Sequence, residues 1–210
     1  MRKLLVMAGI LAVAAPGLAA AAETRRLEAK PFTAVAASAG VRVELEAGRP
    51  ASLALEGDAR EFDRIRVSIS NGVLEVTRKP GWFPQGRRSV VVHAATPRLR
   101  SLEASSGALI AARNLAGEDV RAESSSGGLV RAEGACGGLT VDVSSGGVIE
   151  AEGLNCVSVL VDASSGGVAR VHAREQAVAE ASSGGLVTIV GSPRQVSRES
   201  SSGGRIEVSR

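Results

Sequence analysis

The 210-residue chain carries 25 Lys and Arg against 22 Asp and Glu, and it contains three Phe, one Trp and no Tyr. The small net charge of +3 argues against a dedicated nucleic-acid-binding protein. The shortage of aromatic residues, beside 25 Gly, excludes a core of large side chains, so we expect thin and closely packed layers.

The N-terminus has the pattern of a cleavable signal peptide. Arg2 and Lys3 precede an apolar run at residues 4–15, and small residues follow as far as Ala22. A membrane-spanning helix needs about 20 apolar residues, so this run is too short to remain as an anchor. We expect cleavage after Ala22, with Ala20 and Ala21 as alternatives in the same alanine run, and a periplasmic or secreted product with no transmembrane segment. No Cys lies at the cleavage site, which excludes a lipoprotein. Loss of Arg2 and Lys3 lowers the net charge from +3 to +1, so nucleic acid is not an expected partner.

Residues 23–98 carry the alternating apolar patterns of ordinary strands. Asn71-Gly72 predicts a tight hairpin turn, and only residues 59–64 favour a helical turn. We interpret this N-terminal region as the start and cap of the β-structure that follows, because the open end of a solenoid must be covered.

A loop framed by Pro and Gly interrupts this region. It holds the only Trp of the chain, and its candidate contact residues are Trp82, Phe83, Arg87 and Arg88. The alternative, which we favour, is that Trp82 folds back over the first coil, since large apolar groups are seldom left exposed.

Residues 99–210 repeat the tripeptide Ser-Ser-Gly every 18 to 20 residues, with its glycine at Gly107, Gly127, Gly146, Gly166, Gly184 and Gly203. Apolar residues alternate on both sides of each glycine, which predicts two strands that meet at a Ser-Ser-Gly corner. The predicted fold is an all-β parallel solenoid with coils of about 19–20 residues. We expect residues 23–210 to form a single domain.

The residue four before each corner glycine is acidic in all six coils. These residues, named here the acidic ladder, are Glu103, Glu123, Asp142, Asp162, Glu180 and Glu199. We expect them to point outward and stack about 4.8 Å apart. One hypothesis is that each carboxylate accepts hydrogen bonds from the serines and backbone N–H groups of its own corner. The other is that the ladder also collects Ca²⁺ and forms a cation-dependent contact surface.

Cys136 and Cys156 lie one period apart and therefore on neighbouring coils. Adjacent strands are about 4.7–4.9 Å apart, which is within the range for the Cα atoms of a disulfide. Against a bridge, Cys136 is nine residues past its corner glycine and Cys156 is ten past its own, a difference that favours side chains pointing in different directions. Export to an oxidising compartment favours the bridge.

No pattern of catalytic or cofactor-binding residues stands out. Gly-x-Ser-x-Gly, Cys-x-x-Cys and His-Glu-x-x-His are all absent, and His93 and His172 are far apart in sequence. We therefore expect no catalytic residues, no cofactor and no dedicated metal site, with the serines acting as corner residues.

The whole pattern resembles the family of putative auto-transporter adhesins with a head GIN domain, which occurs in exported bacterial proteins. The matching stretches, in chain order, are residues 26–27, 32–35, 40–45, 56–58, 62–65 and 71–76, followed by the Ser-Ser-Gly coils. The resemblance implies a single-stranded right-handed β-helix.

We therefore predict an exported, non-enzymatic β-solenoid that acts as a binding, adhesin-like or structural module of the cell envelope. Its expected partner is an envelope or cell-surface component, either protein or glycan. The alternative is a polysaccharide lyase or hydrolase, because parallel β-helices often carry such activities.

Overall fold

The computed structural model describes residues 23–79 and 90–209. The predicted signal peptide lies outside these residues, and so do Trp82, Phe83, Arg87 and Arg88. Within the two described ranges, no helix is long and apolar enough to cross a membrane.

The described chain is a β-solenoid that contains one short helix. Its elements are β1 Glu23–Leu27, β2 Ala34–Ala37, β3 Arg42–Ala47, β4 Ser52–Gly57, α1 Ala59–Phe62, β5 Ile65–Ser70, β6 Val73–Arg78, β7 Val91–Thr96, β8 Ser101–Ala104, β9 Leu109–Ser124, β10 Leu129–Val143, β11 Val148–Ala163, β12 Val168–Ala181, β13 Leu186–Val190, β14 Gln195–Ser200 and β15 Arg205–Ser209. The predicted helical turn is α1, which begins after Asp58 because that carboxylate accepts a hydrogen bond from the backbone N–H of Arg60 at 3.1 Å.

Two sheets meet at the Ser-Ser-Gly corners. The strand after each corner belongs to the post-corner sheet, whose order is β1-β4-β7-β3-β9-β10-β11-β12-β13-β15. The strand before each corner belongs to the pre-corner sheet. That sheet runs from β5 through β6, β2 and β8, along the second halves of β9 to β12, and ends at β14. The pairing between successive coils is parallel, as the repeat predicted.

At the N-terminal end the coils do not stack in chain order. β2 and β3 form one coil, and the later strands β6 and β7 pair with them on their outer side. The chain then returns, so that β8 and β9 pair with the other side of the same coil. Beyond β6 and β7 the pairing becomes antiparallel, with β5 on one sheet and β4 and β1 on the other. These antiparallel strands cover the first parallel coil.

The core consists of small and medium side chains that repeat from coil to coil. The third residue after each corner glycine is fully buried in five coils: Ile110, Val130, Ile149, Ala169 and Val187. Because strands of neighbouring coils are about 4.8 Å apart, each side chain packs directly on its equivalent above and below.

The corners require more specific backbone conformations and closer backbone packing than the sequence pattern indicated. The second serine of each corner has φ of 48–51°, and the glycine that follows has φ of 70–79°. A second glycine comes next in every corner but the first, where Ala108 takes its place. A Cβ atom at this second glycine, for example Gly167, would lie 2.6 Å from the carbonyl oxygen of Val143 in the preceding coil. The glycine pair therefore serves two purposes, a left-handed turn and the close approach of two backbones.

Candidate functional site

A groove crosses the outer face of the post-corner sheet near its N-terminal end and encloses about 870 Å³. One register row of outward side chains follows it from strand to strand, in the order Arg26, Ala54, His93, Glu44, Ala111 and Arg131. We name this row, with the neighbouring lining residues, the cross-strand groove. The two alanines form low points between longer side chains, so the row is high at both ends and in the middle.

The middle of the cross-strand groove is a histidine held between two carboxylates. Nε2 of His93 lies 3.0 Å from Glu56, and Nδ1 lies 3.5 Å from Glu44. The side chain of His93 is 39% exposed. A general base needs a ring nitrogen that can reach the substrate proton, and both nitrogens of His93 face carboxylates. This arrangement orients the ring within the groove wall and gives no support to a catalytic role.

The acidic side chains of the groove already have basic or amide partners. Glu44 also pairs with Arg42 at 2.9 Å. Glu46 pairs with Arg49 at 2.9 Å and accepts a hydrogen bond from Asn114 at 3.3 Å. These ion pairs lie on an exposed sheet surface, where each contributes about 0–1 kcal/mol of stability, so their main effect is to fix side-chain positions.

The acidic ladder lies elsewhere, on the outer face of the pre-corner sheet. Its six carboxylate residues stand opposite one another in register on successive strands. Arg121 forms an ion pair with Glu123 and lies 3.9 Å from Asp142. The pKa of Arg121 is raised above its ordinary value, first by the hydrogen bond to Glu123 and then by the charge of that carboxylate.

The hydrogen bonds that we expected between the ladder and its own corners are not present in the described part of the chain. The reason is that corner N–H groups are used between coils, as when the Ser125 N–H donates to the Ala104 carbonyl at 3.0 Å. Residues 23–79 and 90–209 also contain no group of three or more His, Cys, Asp or Glu side chains placed to hold a metal ion. Cation binding by the ladder therefore stays a prediction.

Cys136 and Cys156 form a disulfide between β10 and β11, with their Cα atoms 4.5 Å apart. The two residues are direct register partners, and a register shift between Arg131 and Gly134 absorbs the one-residue difference in their distance from the corner. Both cysteines are buried.

Comparison with known protein families assigns the chain to one of them. A family model described as putative auto-transporter adhesin, head GIN domain, matches residues 31–193. The chain belongs to this family. The comparison with curated proteins gave no match.

A solved structure shares the fold of this head GIN domain protein. A putative adhesin from Bacteroides fragilis superimposes with a TM-score of 0.71 at 17% identity, over 91% of this chain and 98% of the other. A putative adhesin from Parabacteroides merdae has a TM-score of 0.48 at 14% identity, over 91% and 98% of the two chains. At this level of identity the first similarity establishes the fold alone.

The sequence did not reveal the cross-strand groove of the head GIN domain. Its wall joins β1, β4 and β7, which are far apart in sequence and are brought side by side by antiparallel pairing. His93 was noted only as an isolated histidine, because neither Glu44 nor Glu56 is near it in sequence. The alternation of each strand could have indicated which residues point outward, but not which strands are neighbours.

Proposed function

We propose that this protein is an exported, non-enzymatic, adhesin-like module that binds an envelope or cell-surface component, protein or glycan, through the cross-strand groove. The observation that supports the proposal most directly is the 870 Å³ groove on the outer face of a continuous sheet. A site built on strands keeps its side chains in place better than one built on loops. The Sec-type signal pattern at residues 1–22 supports export to the periplasm or the cell surface.

The chemistry of the groove supports binding more than catalysis. Its histidine has both ring nitrogens engaged, and its acidic groups are held by arginines. Glycoside hydrolysis needs one carboxylic acid that keeps its proton and a second carboxylate across the scissile bond. The carboxylates of Glu44 and Glu46 are instead engaged in ion pairs with Arg42 and Arg49.

The test is binding of the purified mature protein to envelope fractions and to whole cells of the source bacterium. Ala111→Trp places a large side chain at a low point of the groove, and Thr140→Trp places the same side chain on the outward face of the pre-corner sheet. Both positions are half-buried. We expect Ala111→Trp to abolish binding and Thr140→Trp to leave it unchanged.

Two results would contradict the proposal. One is equal binding by the two variants, which would place the contact outside the groove. The other is release of reducing or unsaturated sugars from envelope polysaccharides by the wild-type protein, which would establish the lyase or hydrolase alternative.

A further inference from the structure

The two ends of the cross-strand groove carry the same chemical group. Arg26 on β1 and Arg131 on β10 stand at the ends of one register row that crosses six strands. Five strand spacings of about 4.8 Å place the two Cα atoms about 24 Å apart. A ligand that contacts both arginines must therefore be extended and must lie across the strands.

The groove has more free hydrogen-bond donors than free acceptors. Arg26 is exposed, and its side chain has no ion pair or hydrogen bond with any described residue. Nε of Arg131 donates to Glu150 at 2.5 Å, which orients the guanidinium and leaves its terminal nitrogens available. The carboxylates, by contrast, are taken up by Arg42, His93 and Arg49. Free guanidinium groups favour ligands that carry carboxylates or phosphates.

The lining residues also limit the ligand class. Among residues 23–79 and 90–209, no Phe, Tyr or Trp side chain lines the groove, and the His93 ring lies between two carboxylates, so these residues offer a neutral sugar no large ring on which to stack. Glu44 and Glu46 on β3 lie between Arg26 and Arg131 and are already paired with Arg42 and Arg49, so the anionic groups of a ligand find their partners at the two ends of the groove. An extended polymer with anionic groups at intervals satisfies both conditions.

We propose that the cross-strand groove binds an anionic glycan, with carboxylate or phosphate groups of the chain held by Arg26 and Arg131. This inference rests on the proposed binding function and names its ligand class. The alanine positions at Ala54 and Ala111 leave room for sugar rings between the charged contacts. Glu150 lies on β11, on the side of β10 away from the groove, and its hydrogen bond to Nε fixes the position of the Arg131 side chain at the end of the groove.

The experiment measures binding of the mature protein to immobilised polygalacturonate, to a polyglycerol-phosphate chain and to neutral dextran at 50 mM NaCl. The variants are Arg26→Gln, Arg131→Gln and the control Arg174→Gln. Arg174 is an exposed arginine on β12 outside the groove, so all three variants lose one positive charge. Thermal melts of each variant show that it is folded.

We expect binding to one or both charged polymers and none to dextran, and the polymer that binds identifies carboxylate or phosphate as the preferred group. Arg26→Gln and Arg131→Gln should each weaken binding about tenfold, because each removes a charge-assisted hydrogen bond. Arg174→Gln should change it less than twofold. If Arg131→Gln lowers the melting temperature, its weaker binding could come from partial unfolding, and the test then depends on Arg26→Gln. The side chain of Arg26 contacts no other described side chain through an ion pair or hydrogen bond, so its replacement should not destabilise the fold.

Equal loss in all three variants would show attraction by overall charge and would overturn the inference, and so would binding to dextran. Failure to bind either charged polymer would also overturn it. In that case envelope binding that is sensitive to Ala111→Trp would leave the proposed function intact, whereas loss of all envelope binding would remove both.

Discussion

Gly166 and Gly167 are neighbours in one corner, and we expect their replacement by Ala to destabilise the protein by clearly different amounts. Gly166 has φ of 72°, and a Cβ atom there would meet nothing within 4 Å. The cost of Gly166→Ala is therefore only that of a non-glycine residue in the left-handed region, about 1–2 kcal/mol. All six corners already hold a serine in that region directly before the equivalent glycine, so the turn accommodates a residue with a Cβ atom in this conformation.

Gly167→Ala is destabilising for a different reason, which is a steric clash with the preceding coil. The new Cβ atom would lie 2.6 Å from the carbonyl oxygen of Val143, and ordinary contact begins at 3.4 Å. The coils can separate only by stretching two hydrogen bonds between them, Ser164 N–H to Val143 O at 2.9 Å and Val168 N–H to Gly147 O at 3.0 Å. Each bond contributes about 1 kcal/mol, and overpacking adds about 1–3 kcal/mol, so we expect a loss of roughly 3–5 kcal/mol.

Urea unfolding followed by circular dichroism measures both free energies. The expected result is a loss for Gly167→Ala that exceeds the loss for Gly166→Ala by about 1–4 kcal/mol, with an unchanged spectrum in water. If the two losses are equal, or if Gly166→Ala is the more costly, the explanation of the glycine pair by backbone approach is wrong.

Three further predictions concern the bridge, the ladder and the cap. Replacing both Cys136 and Cys156 by Ala should lower the free energy of unfolding by about 3 kcal/mol, since the bridge closes a loop with a sequence separation of 20; two reactive thiols in the denatured, unreduced protein would contradict the bridge. Asp162→Asn should raise the melting temperature in 10 mM NaCl and have less effect in 500 mM NaCl, because its carboxylate repels each in-register neighbour by about 1 kcal/mol in water. If the ladder collects Ca²⁺, millimolar Ca²⁺ should raise the melting temperature of the wild type more than monovalent salt of equal ionic strength does, and an equal effect would contradict a cation site. Thr96→Val should cost about 1–3 kcal/mol by urea unfolding, because the buried Thr96 hydroxyl serves both the N–H and the carbonyl of Phe32; an unchanged midpoint would show that these groups find other partners.

The repeating part of the fold was predictable because it depends on residues that are close together in the sequence. The Ser-Ser-Gly spacing and the alternation around it fix the corner, the two strands and the buried row, and the structure confirms the solenoid. The left-handed serine was not predicted, since glycine alone was expected to have positive φ. The second glycine is explained only by a contact with the coil before it, as at Gly167.

The candidate site was not predictable, because it depends on residues that are far apart in the sequence. Arg26, Ala54 and His93 become neighbours only because β4 and β1 extend the sheet beyond β7 in antiparallel order. No local pattern in residues 23–98 indicates that β6 pairs with β2, and β7 with β3, on the N-terminal side of that coil. The acidic ladder, which the repeat made conspicuous, lies on the other sheet from the groove.

The most direct test of the account is a map of the bound ligand by NMR. Backbone amide shifts of the ¹⁵N-labelled mature protein are recorded as polygalacturonate or polyglycerol phosphate is added. The account predicts saturable shifts at Ala54, His93 and Ala111 and none at Asp162 or Glu180 on the acidic ladder. Shifts confined to the ladder, or the absence of shifts in the groove when binding is demonstrated by another method, would contradict it.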